Sequence, residues 1–220
     1  IFGDGPTATS IGAEDVLLKE SAPDLNQQPG ERLESNKFDT ADFNNSVIKF
    51  PTLVSQLAGR SGNILDASLN FYVQDTDGGD YTINVHRMLR DWGETTATWN
   101  SYNTALAWTT PGALGDDTDR SSTISAAWLS SGSNLGTFVE VTGAQLVADV
   151  KAMVEGSIPN YGWGLYPGSD ALSGDFRQYS SSDHSTPAQR PFLKITLLDP
   201  QWNLRRRQNR PAPWKPGRGR

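Results

Sequence analysis

The chain contains no cysteine, and only two histidines occur among its 220 residues. Without thiols there can be no disulfide framework, no thiolate metal site and no sulfur nucleophile, so stability has to come from burial. The two imidazoles, His86 and His184, cannot fill a three-histidine zinc site, and neither stands in a His-Glu-Xaa-Xaa-His pattern. A Gly-Xaa-Ser-Xaa-Gly nucleophile elbow is missing too. No apolar run reaches the roughly 18 residues a spanning helix needs, so no membrane span is expected. The chain opens at Ile1 with no Met, no Lys-rich stretch and no apolar signal core. The expectation is a processed, secreted, extracellular chain, although a trimmed one would look the same.

What is present is turn-rich and globular: 21 Gly and 13 Pro beside 36% hydrophobic and 20% charged residues. The length suits one large all-β domain. Alternating or short apolar runs predict strands over 14–19, 46–50, 67–73, 81–87, 137–142, 162–166, 175–179 and 191–198. Asp75-Thr-Asp-Gly-Gly-Asp80 reads as a hairpin connection between two of them. Residues 101–135, rich in Ser, Thr, Gly and Asp, read as a long structured loop anchored by Trp108 and Trp128. One helix is marked: Thr142-Gly-Ala-Gln145 has the capping-box pattern. Leu146, Val147, Val150, Met153 and Val154 follow on one face, and Gly156 suits a left-handed cap. This helix is expected to lie as a lid across one end of the sandwich. There is no short-period internal repeat.

The net charge of −6 conceals a division. Residues 201–220 carry seven cations and no acid, which leaves the rest of the chain at −13. The organisation expected is an arm over 1–12, a β-sandwich over 13–199 and a basic Pro/Arg-rich tail over 200–220. Opposite potentials on one chain steer copies into head-to-tail contact, which closes into rings or grows into filaments. The expected contact residues are Phe2, Trp202, Arg205, Arg206, Arg207 and Trp214, aromatic anchors beside cations. The same tail has the chemistry to meet phosphates and bases, but the acidic body opposes it, so nucleic acid is not an expected partner.

No catalytic set is expected, and no cofactor is required. Among 25 acidic residues some pair at a glycosidase separation arises by chance. Structural Ca2+ is the best-matched metal, because Asp75, Asp77 and Asp80, and separately Asp116 and Asp119, gather hard oxygen donors in turns, although without EF-hand spacing. For a sugar, the candidate contacts are Tyr102, Trp108, Tyr166 and Arg177, while Trp92, Trp99 and Trp163 read as core. His86 reads as a structural side chain within a strand, and His184 as a loop surface residue.

Several motifs occur in a fixed order. Ala13-Glu-Asp-Val-Leu-Leu, Asn45-Ser-Val-Ile-Lys-Phe-Pro and Ala67-Ser-Leu-Asn-Phe-Tyr-Val come first. Asp91-Trp-Gly-Glu-Thr-Thr-Ala-Thr-Trp99-Asn follows, then Asn160-Tyr-Gly-Trp-Gly-Leu, Asp175-Phe-Arg-Gln-Tyr-Ser-Ser-Ser-Asp and Arg190-Pro-Phe-Leu. The series, from about residue 13 to 198, resembles the DNRLRE domain, or disaggregatase-related repeat, and related alginate-type carbohydrate-binding modules. That resemblance implies a secreted, non-catalytic, jelly-roll-like antiparallel β-sandwich with one short helix. Leu25-Asn-Gln-Gln-Pro-Gly-Glu-Arg-Leu33 departs from the usual Asn-Xaa-Gly turn, so no ligand contact is carried over there. Two readings follow. The favoured one is an extracellular structural protein, a fibre or filament subunit joined through its terminal arms, with strand donation as one means. The alternative is a carbohydrate-binding module for an acidic polysaccharide.

Overall fold

The computed structural model describes residues 12–38 and 42–198, together with the backbone of Phe2–Gly3. Trp202, Arg205, Arg206, Arg207, Trp214 and the side chain of Phe2 lie outside the described residues, as do most of the expected arm and tail. In chain order the strands begin β1 (Phe2–Gly3), β2 (Glu14–Lys19), β3 (Arg32–Glu34), β4 (Asn36–Lys37) and β5 (Phe43–Lys49). Next come β6 (Ile64–Asp77), β7 (Tyr81–Met88), β8 (Ser101–Asn103), β9 (Leu106–Ala107) and β10 (Arg120–Ser130). The last are β11 (Phe138–Thr142), β12 (Trp163–Pro167), β13 (Phe176–Ser180) and β14 (Phe192–Leu197). The α-helices are α1 (Leu53–Leu57) and α2 (Ala144–Glu155).

These strands form an antiparallel β-sandwich. One sheet has the order β1-β14-β6-β13-β3, the other β10-β7-β12-β5-β2 with β4 beside β5. β11 and β14 both pair with Ser68 to Asn70 of β6, so they must flank it on opposite sides. Successive strands β6 and β7, β10 and β11, and β12 and β13 fall in different sheets, the alternation of a jelly-roll-like path. Inward positions at period two build the core: Leu69, Phe71 and Val73 from β6 face Tyr81, Ile83 and Val85 from β7, with Trp163, Leu165, Tyr179 and Leu193. Among the described residues no helix is long and apolar enough to cross a membrane.

A second hydrophobic cluster lies on the outer face of the β10-β7-β12-β5-β2 sheet. Val16, Leu18, Val47 and Met88 point away from the sandwich interior there, because their strand neighbours point in. The excursion between β7 and β10 folds back over them with Trp92, Ala97, Trp99, Trp108 and Ala113. One sheet is therefore covered on both faces.

Three local expectations are corrected. The segment from Asp75 to Asp80 is no hairpin, since β6 and β7 pair with different partners in different sheets and the turn carries the chain from one to the other. Residues 101–135 are not all loop, for they include the 11-residue β10. β10 is an edge strand with register shifts on either side of Ile124, which breaks the simple period. The capping box at α2 does not form. Gly143 occupies the cap without a side-chain bond, Thr142 ends β11, and Gln145 Nε2 donates to Asp149 Oδ1 at 2.9 Å instead. The helix tolerates a loss of about 1 kcal/mol because Leu146, Val150, Met153 and Val154 are buried, each worth about 1.5–3 kcal/mol. Its end is as expected, with Gly156 left-handed at φ 77°.

Candidate functional site

Most of the aromatic and cationic residues read as sugar contacts are interior. Arg177 is fully buried on β13. Its guanidinium donates to the carbonyls of Asp77 and Phe176 (both 2.7 Å), Gly79 (2.6 Å) and Ser130 (3.1 Å) and to Ser130 Oγ at 3.0 Å. It also lies 4.7 Å from the Tyr81 ring centre. Trp108 is buried in the second cluster, with Nε1 donating to the Thr98 carbonyl at 2.9 Å. Tyr166 is buried under the Arg120 guanidinium, 4.2 Å from its ring centre, and donates to the Ala113 carbonyl at 3.0 Å. Only Tyr102 stays half-exposed, packed 5.5 Å from Trp108. Trp108, Tyr166 and Arg177 therefore offer no face to a sugar, because the β7–β10 excursion and the sheet-crossing corner enclose them.

The proposed calcium donors are dispersed. Asp119 is fully buried and accepts backbone N–H bonds from Thr109 and Thr110 at 2.9 Å and from Gly115 at 3.2 Å, so its oxygens pin the excursion. Asp116 pairs with Arg120 at 2.9 Å. Asp75 and Asp77 accept from the N–H groups of Thr76 and Gly78, and Asp80 is exposed. Among the described residues no three His, Cys, Asp or Glu side chains converge as a metal site, so the sequence clusters do not become a cage. The histidines are both buried, which corrects the surface reading of His184. Burial lowers the His86 pKa, and its Nδ1 meets the Ser121 carbonyl at 2.8 Å.

The outer face of the other sheet is where side chains converge on solvent. Because Leu69, Phe71 and Val73 point into the core, Ser68, Asn70, Tyr72 and Gln74 of β6 point out, and the register shift after Val73 turns Asp75 to the same outer face opposite Gln178. Half-buried Tyr72 meets Phe138 of β11 edge-on at 5.4 Å, and Phe138 meets Phe192 of β14 at 5.4 Å. Beside this aromatic row runs an open groove of about 400 Å3 lined by Tyr72, Gln74, Asp75, Leu135, Gln178 and Gln189, among others. Gln178 Nε2 donates to Gln74 Oε1 at 3.0 Å, and the His184 Nε2 is hydrogen-bonded to Gln74 Nε2. Further along, Glu140 accepts from Ser68 at 2.8 Å and Lys194 at 3.0 Å, and these bonds hold its pKa below the usual value. Sequence reading missed this site. The amides come from β6, β13 and the turn before β14, and isolated glutamines carry no periodic signal.

A second concavity, about 300 Å3, is lined by Asn26, Gln28, Glu94 and Asp183, among others. Behind it the fully buried carboxyl of Asp15 accepts from the Ser182 N–H at 2.7 Å, while the Asp15 N–H donates to Glu94 Oε1 at 3.0 Å. Gln28 Nε2 closes over it, bonding the Asp15 carbonyl. Burial first, then the nearby charges of Glu94 and Asp183, push the Asp15 pKa up to about 8 against the opposing Ser182 bond. Burial likewise raises Glu94. An enclosed carboxyl cannot exchange a proton with a molecule in the cleft while its cover is closed, so this arrangement suits a structural acid and not a general acid.

Of the groove and the cleft, only the groove presents an aromatic face beside its convergent polar side chains. No protein-family model matches the chain, and no curated protein matches it.

Proposed function

We propose that this chain is a non-catalytic, extracellular polysaccharide-binding module whose site is the groove on the outer face of the β14-β6-β13 sheet. The observation that carries this reading is the half-buried ring of Tyr72 beside the linked amides of Gln74 and Gln178. A ring face covers the apolar side of a pyranose, and amides both donate to and accept from hydroxyls. Among the described residues, the groove lining includes Asp75 and no Lys or Arg. That suits hydroxyl-rich neutral chains better than uronates, which like charge would repel. Affinity electrophoresis in gels containing dextran, with alginate as the polyuronate, tests the proposal. Tyr72→Ala and Gln178→Ala are expected to weaken retention about tenfold, the loss of roughly 1.4 kcal/mol, with unchanged far-UV dichroism. Wild-type retention in both variants, or none by the parent chain on either polymer, would overturn it.

One observation favours assembly as a second reading. β1 pairs with β14 only at Phe2 with Leu193 and Gly3 with Phe192, so among the described residues the edge from Lys194 to Leu197 has no strand partner on that side. A strand from a second copy would add there. Sedimentation of the full chain beside a chain without 1–12 checks this reading, and identical monomers would remove it.

A further inference from the structure

Away from the groove, a lysine, an asparagine and a glutamate meet where β2, β3 and β5 come together. Lys19 of β2 lies directly opposite Asn44 of β5. The next pair, Glu20 and Phe43, is bonded through the backbone, so Lys19 and Asn44 form the closer, unbonded kind of pair, with Cβ atoms about 4.5–5.5 Å apart. Both side chains point inward, because Val16, Leu18, Phe43 and Val47 at the alternate positions belong to the outer cluster. Asn44 is fully buried, and its Nδ2 donates to Glu34 Oε2 at 2.7 Å. Glu34 is buried too, and accepts from Asn36 at 2.8 Å and from Arg32 at 3.0 Å. Two groups in this cluster are left over. Asn44 Oδ1 is buried without a donor, and the Lys19 ammonium has no ion pair or hydrogen bond among the described residues. Lys37, Lys49 and Lys194, by contrast, bond the Ala171 carbonyl, Glu14 and Glu140.

We propose that the side chains of Lys19 and Asn44 join in an isopeptide bond, with Glu34 carrying the protons. The four-carbon lysine stem spans the gap between the two strands. Glu34 accepts a proton from the Lys19 ammonium, and the freed Nζ lone pair attacks Asn44 Cγ. The Cγ–Nδ2 bond then breaks. Both protons that Nζ gives up end on the departing nitrogen, so an ammonium ion and a secondary amide replace an ammonium group and a primary amide, with no oxidant or co-reactant. Glu34 already touches the leaving nitrogen. Burial raises its pKa against the pull of Arg32, the Asn44 bond and Lys19, which suits it to hold a proton between the two transfers. In the product the new amide N–H takes the place of Asn44 Nδ2 as a donor to Glu34, and the Arg32 pair is undisturbed. The bond closes residues 20–43 into a covalent loop and ties the edge strand β2 to β5. A pull on the chain ahead of β2 then bears on a covalent link instead of strand hydrogen bonds. The reaction runs once per chain and is independent of polysaccharide binding.

Mass spectrometry of the purified full chain tests the cross-link. The parent is expected to be lighter than its sequence requires by the mass of one ammonia. After trypsin, tandem spectra should show the peptide holding Lys19, uncut at that residue, joined to the peptide holding Asn44. Lys19→Arg and Glu34→Gln are expected to keep the full sequence mass and give separate peptides. A parent chain at full mass overturns the proposal, and this result needs no variant to fold. A parent that has lost ammonia but yields separate peptides overturns it as well, because an asparagine cyclised on its own backbone has the same mass. Glu34→Gln joined as completely as the parent overturns the proton-carrying role of Glu34.

Discussion

Arg177 shows how far the role of one side chain depends on which face of a strand it occupies. On β13 it shares the inward face with Tyr179, and its fork satisfies carbonyls from both sides of the sheet-crossing corner, Asp77 and Gly79 on one side and Ser130 on the other. The geometry needs a planar group with several diverging N–H donors, which lysine lacks. Arg177→Lys is therefore expected to leave several buried carbonyls short of a donor and cost about 3 kcal/mol, read as a lowered urea midpoint with the slope unchanged. A ligand-contact role would give the opposite pattern, intact stability and lost retention. Sequence reading placed this arginine at a sugar because a guanidinium can bond hydroxyls and uronate groups. Only the partner strands reveal that its face is the buried one.

At the scale of elements, the excursion between β7 and β10 explains the Trp-Gly-Glu-Thr-Thr-Ala-Thr-Trp stretch without any ligand. Trp92 and Trp99 were legible as core, since two large aromatics around a tight turn need a surface to cover. Trp108 was not, because its partners are the outward positions of a sheet that local pattern treats as solvent-facing. Gly112 lies against the ring of Trp99 at φ +75°, where a Cβ would come within 2.5 Å of the ring. Trp108→Ala is expected to cost about 3–5 kcal/mol by cavity formation, measured by chemical denaturation. An unchanged midpoint would return this residue to the surface. Regular elements were legible where inward and outward positions alternate, as in β7, and along the apolar face of α2. β6 runs past both ends of the predicted strand because its outer residues remain polar while pairing continues to Ile64 and Asp77. The α2 cap failed for a tertiary reason: a Cβ at Gly143 would meet the Ser125 carbonyl at 2.4 Å, so close approach to β10 fixes glycine where a capping side chain would stand.

For the molecule as a whole, the buried carboxyls set the direction of stability against pH. Asp15 titrates near 3.8 when unfolded and about 8 when folded, and burial also raises Glu34 and Glu94. Groups of this kind hold more protons in the folded state, so their contribution is complete below the unfolded pKa and is lost as pH rises through the folded one. Asp117, Glu140 and Asp170 shift the other way through hydrogen bonds, but they are largely solvent-exposed and water screens them. His86, lowered by burial, acts in the opposite sense: its contribution is present above the ordinary histidine value and is lost as pH falls below it. The stability of the parent chain, read from urea unfolding, is therefore expected to fall by about 2 kcal/mol between about pH 6.5 and about pH 9. Asp15→Asn should abolish most of that fall and exceed the parent in stability at the alkaline end. A general effect of the acidic body would persist in the variant, so parallel curves for the two chains would assign the pH dependence to overall charge and not to this carboxyl.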